Sequence, residues 1–189
     1  MDIYSIFLIA IALAMDAFSV SLTKGFIIKN IRIYQIIVIG LFFGGFQVGM
    51  PVLGWIAGEQ IREIVSSIAP YIAFILLLII GLKMIYDSAI DEEEKEESSK
   101  SSFSYKELTL LAIATSIDAF AVGITFSFLN IPILIPVTII GITTFLLSET
   151  GIFIGKKLGH LFGNKFEIIG GVILILLGLN ILLQGLGFY

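Results

Sequence analysis

The sequence contains no cysteine and only one histidine among its 189 residues. Without cysteine the chain cannot form a disulfide, bind a metal through thiolates or use a thiol nucleophile. Charged residues are also scarce, at 14% of the chain, whereas apolar residues make up 58% and the mean hydropathy is +1.07. A soluble domain of this size could not bury so much apolar surface, so the composition predicts a protein whose partner is the lipid bilayer. The net charge of −4 gives no reason to expect nucleic-acid binding.

Apolar stretches of about twenty residues predict an all-α polytopic membrane protein with six transmembrane helices. The predicted spans are residues 3–23, 34–57, 68–86, 108–128, 132–154 and 166–186. Every lysine and arginine except Arg62 lies near the end of the first, third or fifth span or in the loop after it. Because cytoplasmic loops are enriched in basic residues, these three loops are predicted to be cytoplasmic and both termini outside.

Two halves of three spans are separated by an acidic, serine-rich stretch. Residues 1–90 form the first half, residues 91–104 a predicted cytosolic linker, and residues 105–189 the second half. The linker is rich in glutamate, lysine and serine and has few apolar residues, a composition typical of a solvated tether.

A motif from the first span returns in the fourth. The sequence DAFSVSL begins at Asp16, and DAFAVGI begins at Asp118. Each aspartate lies within an apolar span, where an ionised carboxylate costs about 2.5–3.5 kcal/mol on insertion scales. Three spans per repeat force the halves into opposite orientations. This inverted-repeat plan is typical of secondary transporters whose substrate site lies near the bilayer midplane between the repeats.

The second spans of the two halves also correspond, through glycines. The matching glycines are Gly40, Gly54 and Gly58 in the first half and Gly141, Gly155 and Gly159 in the second. Spacings such as Gly54-x-x-x-Gly58 are interpreted as sites of close helix packing rather than of chemistry.

Oxygen-bearing side chains accompany the two aspartates. Ser19 shares a helical face with Asp16, and Thr115 shares one with Asp118, because residues three apart lie on one side of a helix. Gln47 in the second span is a weaker candidate. Carboxylates, hydroxyls and amides are hard ligands that favour Mn²⁺, Mg²⁺ or Ca²⁺ over Zn²⁺ or copper.

Two further titratable residues, Glu149 and His160, lie in or near the fifth span. Glu149 lies within the fifth span but has no acidic counterpart in the first half, where Val48 is the matching residue. It is therefore a weaker candidate ligand. His160 lies beside lysines at a predicted helix end and is interpreted as a surface residue. The alternative for either aspartate taken alone is a structural role, in which the protonated side chain hydrogen-bonds to a neighbouring helix.

These motifs resemble the MntP family of manganese efflux pumps, within the LysE-type transporter superfamily. The resemblance is carried by AMDAFSVSL around Asp16, by ATSIDAFAVG around Asp118 and by FGGFQ, which ends at Gln47, and it covers essentially the whole chain. It implies a six-span exporter of Mn²⁺ in the inner membrane of a prokaryote, with Asp16 and Asp118 as the essential acids and no cofactor. Gln47 and Glu149 depart from the pattern of some family members.

The sequence therefore predicts a transporter, not an enzyme, that exports Mn²⁺ by alternating access. Asp16 and Asp118 are the proposed core ligands, with Ser19, Thr115, Gln47 and Glu149 as weaker candidates. No nucleotide-binding loop is found, so an ion gradient is the expected energy source. Two alternatives stay open, the export of another small cation such as a cationic amino acid and an intramembrane aspartyl protease. The oligomeric state is not predicted.

Overall fold

The computed structural model describes residues 2–28, 31–65, 68–90, 104–158 and 163–186, and within these ranges the chain is helical. The helices are α1 (Ile3–Ile27), α2 (Ile33–Val65), α3 (Ala69–Ile90), α4 (Tyr105–Ala114), α5 (Ile117–Phe128), α6 (Leu134–Leu158) and α7 (Gly163–Gly185). Apart from Ser104, the predicted linker lies outside the described residues, as do Gly159 and His160.

Large apolar side chains cover the outer surface of these helices. Leu41, Ile142 and Leu176 are each more than half exposed, whereas small residues such as Ala12 and Ala119 are fully buried. Exposure of so much apolar surface is unfavourable in water and favourable against lipid tails. The distribution agrees with the membrane environment that the composition predicts.

Within the described ranges, four helical stretches are long and apolar enough to cross a bilayer. They are Ile3–Gly25, Ile33–Gln60, Tyr105–Phe128 and Leu134–Lys157. The helices α3 and α7 contain shorter apolar stretches, Pro70–Lys83 and Val172–Leu183. The prediction of an all-α membrane protein is confirmed for the described part of the chain.

The predicted span over residues 108–128 lies within one apolar stretch, Tyr105–Phe128, but this stretch consists of two helices. The chain turns at Thr115 and Ser116, which separate α4 from α5. The Thr115 hydroxyl donates to the carbonyl oxygen of Ala112 at 3.3 Å, and the Ser116 hydroxyl donates to that of Ile113 at 3.0 Å. Both hydroxyls bond to carbonyls three residues earlier, and two adjacent hydroxyls that bond to their own backbone compete with the helical ladder at this turn. The break lies just before Asp118.

Loops that the topology places on one side of the membrane meet at one end of the molecule. There the Lys24 ammonium pairs with the carboxylate of Glu107, and Lys156 Nζ donates to the carbonyl oxygen of Ile31 at 3.2 Å. We call this end, which joins the α1–α2 loop, the start of α4 and the end of α6, the basic end.

At the opposite end, α2 meets the second half of the chain. Trp55 Nε1 donates to the carbonyl oxygen of Ile131 at 3.1 Å, and the Ser127 hydroxyl donates to Glu59 Oε1 at 3.0 Å. The helices therefore run between two distinct ends, as a multi-pass membrane protein requires.

Glycines allow two pairs of helices to cross with their backbones in contact. A Cβ atom added at Gly155 of α6 would overlap the carbonyl oxygen of Leu22 in α1, and one added at Gly54 of α2 would overlap that of Phe120 in α5. At Gly151 an added Cβ would lie only 2.7 Å from the carbonyl oxygen of Phe18. The interpretation of these glycines as close-packing residues is confirmed.

Candidate cation site

Asp118 lies in the first turn of α5 and is only 5% exposed. Its Oδ1 accepts a hydrogen bond from the backbone N–H of Ala119 at 2.9 Å. Its Oδ2 is buried and has no hydrogen-bond partner in the structure. A buried carboxylate oxygen without a partner is unfavourable in a low-dielectric interior, so it is available to a cation, a proton or a water molecule.

The break before Asp118 brings two helix ends to the carboxylate. The carboxyl end of α4 carries the partial negative charge of unpaired carbonyls, which attracts cations, and Thr115 caps this end. The amino end of α5 carries partial positive charge, which stabilises the Asp118 carboxylate. Discontinuous membrane helices form ion sites in this manner in transporters.

Gln47 of α2 reaches the same break from the other half of the chain. Its side chain is fully buried, and its Nε2 donates to the carbonyl oxygen of Leu13 at 3.0 Å and to that of Thr115 at 3.3 Å. Its Oε1 has no hydrogen-bond partner. Pro51 has no backbone N–H, so the backbone carbonyl of Gln47, four residues earlier, also lacks its helical donor. The structure therefore places two oxygens of Gln47 near the break without these usual partners.

On α1, Asp16 is partly buried and Ser19 is almost fully buried. The carbonyl oxygen of Ser19 accepts a hydrogen bond from Thr23 Oγ1 at 3.1 Å. Thr125, which matches Thr23 in the repeated motif, makes the corresponding bond to Ala121 at 3.1 Å. In both aspartate-bearing helices, therefore, the threonine about two turns after the aspartate donates its hydroxyl to the backbone carbonyl one turn before it.

Glu149 lies on α6 against a different part of α2. An added Cβ at Gly40 would be 3.3 Å from Glu149 Cγ. Gly40 and Gln47 are two helical turns apart, about 10 Å along α2. Among the described residues, no three side chains of histidine, aspartate or glutamate are grouped so that they could hold a metal ion. Glu149 therefore does not complete a three-acid centre with Asp16 and Asp118, and its role as a ligand stays a prediction.

Lys83 of α3 is a charged residue within the third predicted span, and its side chain is exposed. Its positive charge attracts the Asp118 carboxylate through space. Lys83 matches Asn180 in the repeat, and this match is the sequence signal that could have marked Lys83 as a functional residue. The buried hydroxyls of Ser21, Thr144 and Ser148 lack hydrogen-bond partners in the structure, and Ser148 is the residue that matches Gln47 in the repeat.

The chain is similar to known proteins of one family. The model of a family described as "Putative manganese efflux pump" matches residues 30–182 of the chain. No solved structure matches it.

Similar curated proteins are named "Putative manganese efflux pump MntP". The protein of Methanosphaera stadtmanae is 62% identical over 179 residues, which cover 95% of this chain and 98% of the relative. That of Methanobrevibacter smithii is 62% identical and covers 96% and 97%. A bacterial relative, from Clostridium perfringens, is 47% identical with 99% and 97% covered. The similarity therefore extends over nearly the whole length of both partners.

Proposed function

The chain belongs to the family described as "Putative manganese efflux pump", and from this premise we propose that it exports Mn²⁺ across the cytoplasmic membrane of a prokaryote. The observation that carries the proposal is the buried Asp118, whose Oδ2 has no partner at a break in a membrane helix. A permanently ionised group in this position is costly unless a cation binds it. The second aspartate of the repeated motif, Asp16, would supply the other charge.

We propose that residues 1–90 and 105–189 form two inverted repeats of three spans. In this arrangement α1 matches α4–α5, α2 matches α6, and α3 matches α7. The packing of the helices supports it, since α1 packs on α6 as α2 packs on α5, and α1 packs on α7 as α3 packs on α5. If each helix is replaced by its match in the other half, each of these contacts becomes another contact that the structure contains.

Individual contacts support the same exchange. Gly40 of α2 faces the Glu149 side chain on α6, and Gly141 of α6 faces the Val48 side chain on α2. Gly40 matches Gly141 in the repeat, and Val48 matches Glu149. The two contacts are therefore equivalent, although only one of them contains an acid.

Two aspartates are the right number of charges for one divalent cation. Together they would neutralise Mn²⁺, so the loaded site would carry no net charge while it is shielded from water. Neutral oxygens would complete the coordination, with Gln47 Oε1 and the hydroxyls of Ser19 and Thr115 as candidates. Glu149 lies closer to the basic end, and we propose that it meets the ion on its way to the site.

Transport requires that the site open to one side at a time. We propose that the two repeats rock about the aspartates, with the basic end facing the cytoplasm and both termini outside. An ion gradient would drive the cycle, and protons are the proposed counter-ions because the same carboxylates can bind either ion. The site would then carry no net charge whether Mn²⁺ or protons are bound. Ionised carboxylates would not have to move through the membrane without a counter-ion.

Growth of a manganese-sensitive host tests this proposal. Expression of the wild-type protein should restore growth in manganese, whereas Asp16→Asn and Asp118→Asn should each abolish the rescue. Asp2→Asn is the matched control, because Asp2 lies exposed before α1, outside the spans. Rescue by the double variant at a membrane level equal to wild type would contradict the proposal. Rescue from excess lysine or arginine in place of manganese would identify a different cation as the substrate.

A further inference from the structure

The side chain of Gln47 connects two points of the backbone that the repeat makes equivalent. Its amide nitrogen carries two hydrogens and donates to the carbonyl oxygens of Leu13 and Thr115, at 3.0 and 3.3 Å. Leu13 precedes Asp16 by three residues, and Thr115 precedes Asp118 by three residues. The amide therefore holds the backbone next to one aspartate at a set distance from the backbone next to the other.

The orientation of the amide follows from its partners. A backbone carbonyl oxygen can only accept a hydrogen bond, so the NH₂ group of Gln47 must face Leu13 and Thr115. The side-chain oxygen then faces away from both carbonyls, and it is buried without a hydrogen-bond partner. The amide thus presents an acceptor, and not a donor, to the space beyond the two carbonyls.

We propose that Gln47 is the positioning residue of the transport site, and that its nitrogen sets the separation of the two aspartate-bearing segments while its oxygen faces the bound cation. The inference rests on the proposed function for the identity of the ion. The bracing of α1 to the α4–α5 break does not depend on which ion is carried. A side chain of similar length without an amide would fill the space and lose both functions.

A distance measurement between the two segments tests the bracing directly. The chain has no cysteine, so spin labels can be attached at introduced cysteines without a background. Leu8 of α1 and Leu110 of α4 are suitable, because each is exposed and each lies five residues before the carbonyl that Gln47 contacts. In metal-free protein the distance distribution should be narrow for wild type and broader for Gln47→Met and Gln47→Asn. Asparagine is one methylene too short to reach both carbonyls.

Mn²⁺ binding to the purified protein tests the second function. The Kd for Mn²⁺ should rise about tenfold or more in Gln47→Met, equivalent to the loss of one good ligand interaction. Gln35→Met is the matched control, since it makes the same chemical change at the start of the same helix, where Gln35 Oε1 accepts from the N–H of Arg32. The control should bind Mn²⁺ as wild type does.

The outcomes separate this inference from the proposed function. Unchanged distance distributions in both Gln47 variants would overturn the bracing, whatever the protein transports. A Kd within twofold of wild type in Gln47→Met, with folding confirmed by gel filtration, would overturn the role toward the cation. If wild type itself does not bind Mn²⁺ but the Gln47 variants broaden the distance, the proposed substrate is wrong and the bracing stands. If Gln47→Met does not fold, Gln47→Asn carries both measurements.

Discussion

Gln47 donates its side-chain amide to the carbonyl oxygen of Thr115, at the point where the fourth membrane span breaks into two helices. This hydrogen bond connects the first half of the chain with the second beside a buried aspartate. At the break the Thr115 carbonyl has lost the donor that a continuous helix would provide, and the Gln47 amide supplies a donor in its place.

Gly155→Ala should destabilise the protein, because an added methyl group would overlap the backbone of Leu22 and force α1 and α6 apart. Overpacking of this kind typically costs about 1–3 kcal/mol. Thermal unfolding in detergent should show a clear decrease in the midpoint temperature.

Gly45→Ala provides the matched control for that change, since a Cβ atom added at Gly45 would meet nothing within 4 Å. Alanine also favours a helix by about 1 kcal/mol relative to glycine. An unchanged or raised midpoint is expected for Gly45→Ala. Equal destabilisation by the two substitutions would contradict the close crossing of α1 and α6.

Charge exchange at Lys24 and Glu107 should restore what either single reversal removes. The pair joins α1 to α4 at the basic end, with side chains 14% and 39% exposed. Because Glu107 is partly solvated, the pair should contribute no more than about 1 kcal/mol. Lys24→Glu and Glu107→Lys should each lower the unfolding midpoint, and the double variant should recover most of the loss. Simple addition of the two losses would show that the residues do not interact.

Lys83→Met should tighten Mn²⁺ binding. The Lys83 ammonium attracts the Asp118 carboxylate and would repel a divalent cation bound there. Its removal should lower the Kd for Mn²⁺ about two- to fivefold, equivalent to the roughly 1 kcal/mol or less that a solvent-exposed charge contributes. Lys157→Met, an exposed lysine at the end of α6, is the control and should leave the Kd unchanged. Weaker binding in Lys83→Met would indicate that the lysine supports the site instead of opposing the cation.

The membrane class and most of the helices could be predicted from the sequence, because long apolar runs leave few alternatives. The break at Thr115 could not, since hydropathy does not report where the backbone hydrogen bonds of a helix are interrupted. The position of Gln47 in the second span made it a candidate ligand but did not predict its contacts with Leu13 and Thr115. Such a contact depends on how two distant helices pack, which no local pattern encodes.

The candidate site, like the fold, could be predicted from the sequence only in part. The repeated motif singled out Asp118, and the structure places this residue in a buried position with an unpartnered oxygen. Glu149 was chosen only because it is an acid within a span, and its side chain lies against Gly40, away from Gln47.

Manganese flux in reconstituted vesicles is the most direct test of the central claim, that two repeat-related aspartates carry Mn²⁺ through the membrane. Purified protein in proteoliposomes should move Mn²⁺ across the bilayer, measured by quenching of a trapped metal-sensitive dye, and an imposed pH gradient should accelerate the flux. Asp16→Asn and Asp118→Asn, at equal protein in the vesicles, should reduce the flux to that of empty liposomes. Wild-type flux from the double variant, or no flux from the wild type under any gradient, would contradict the account.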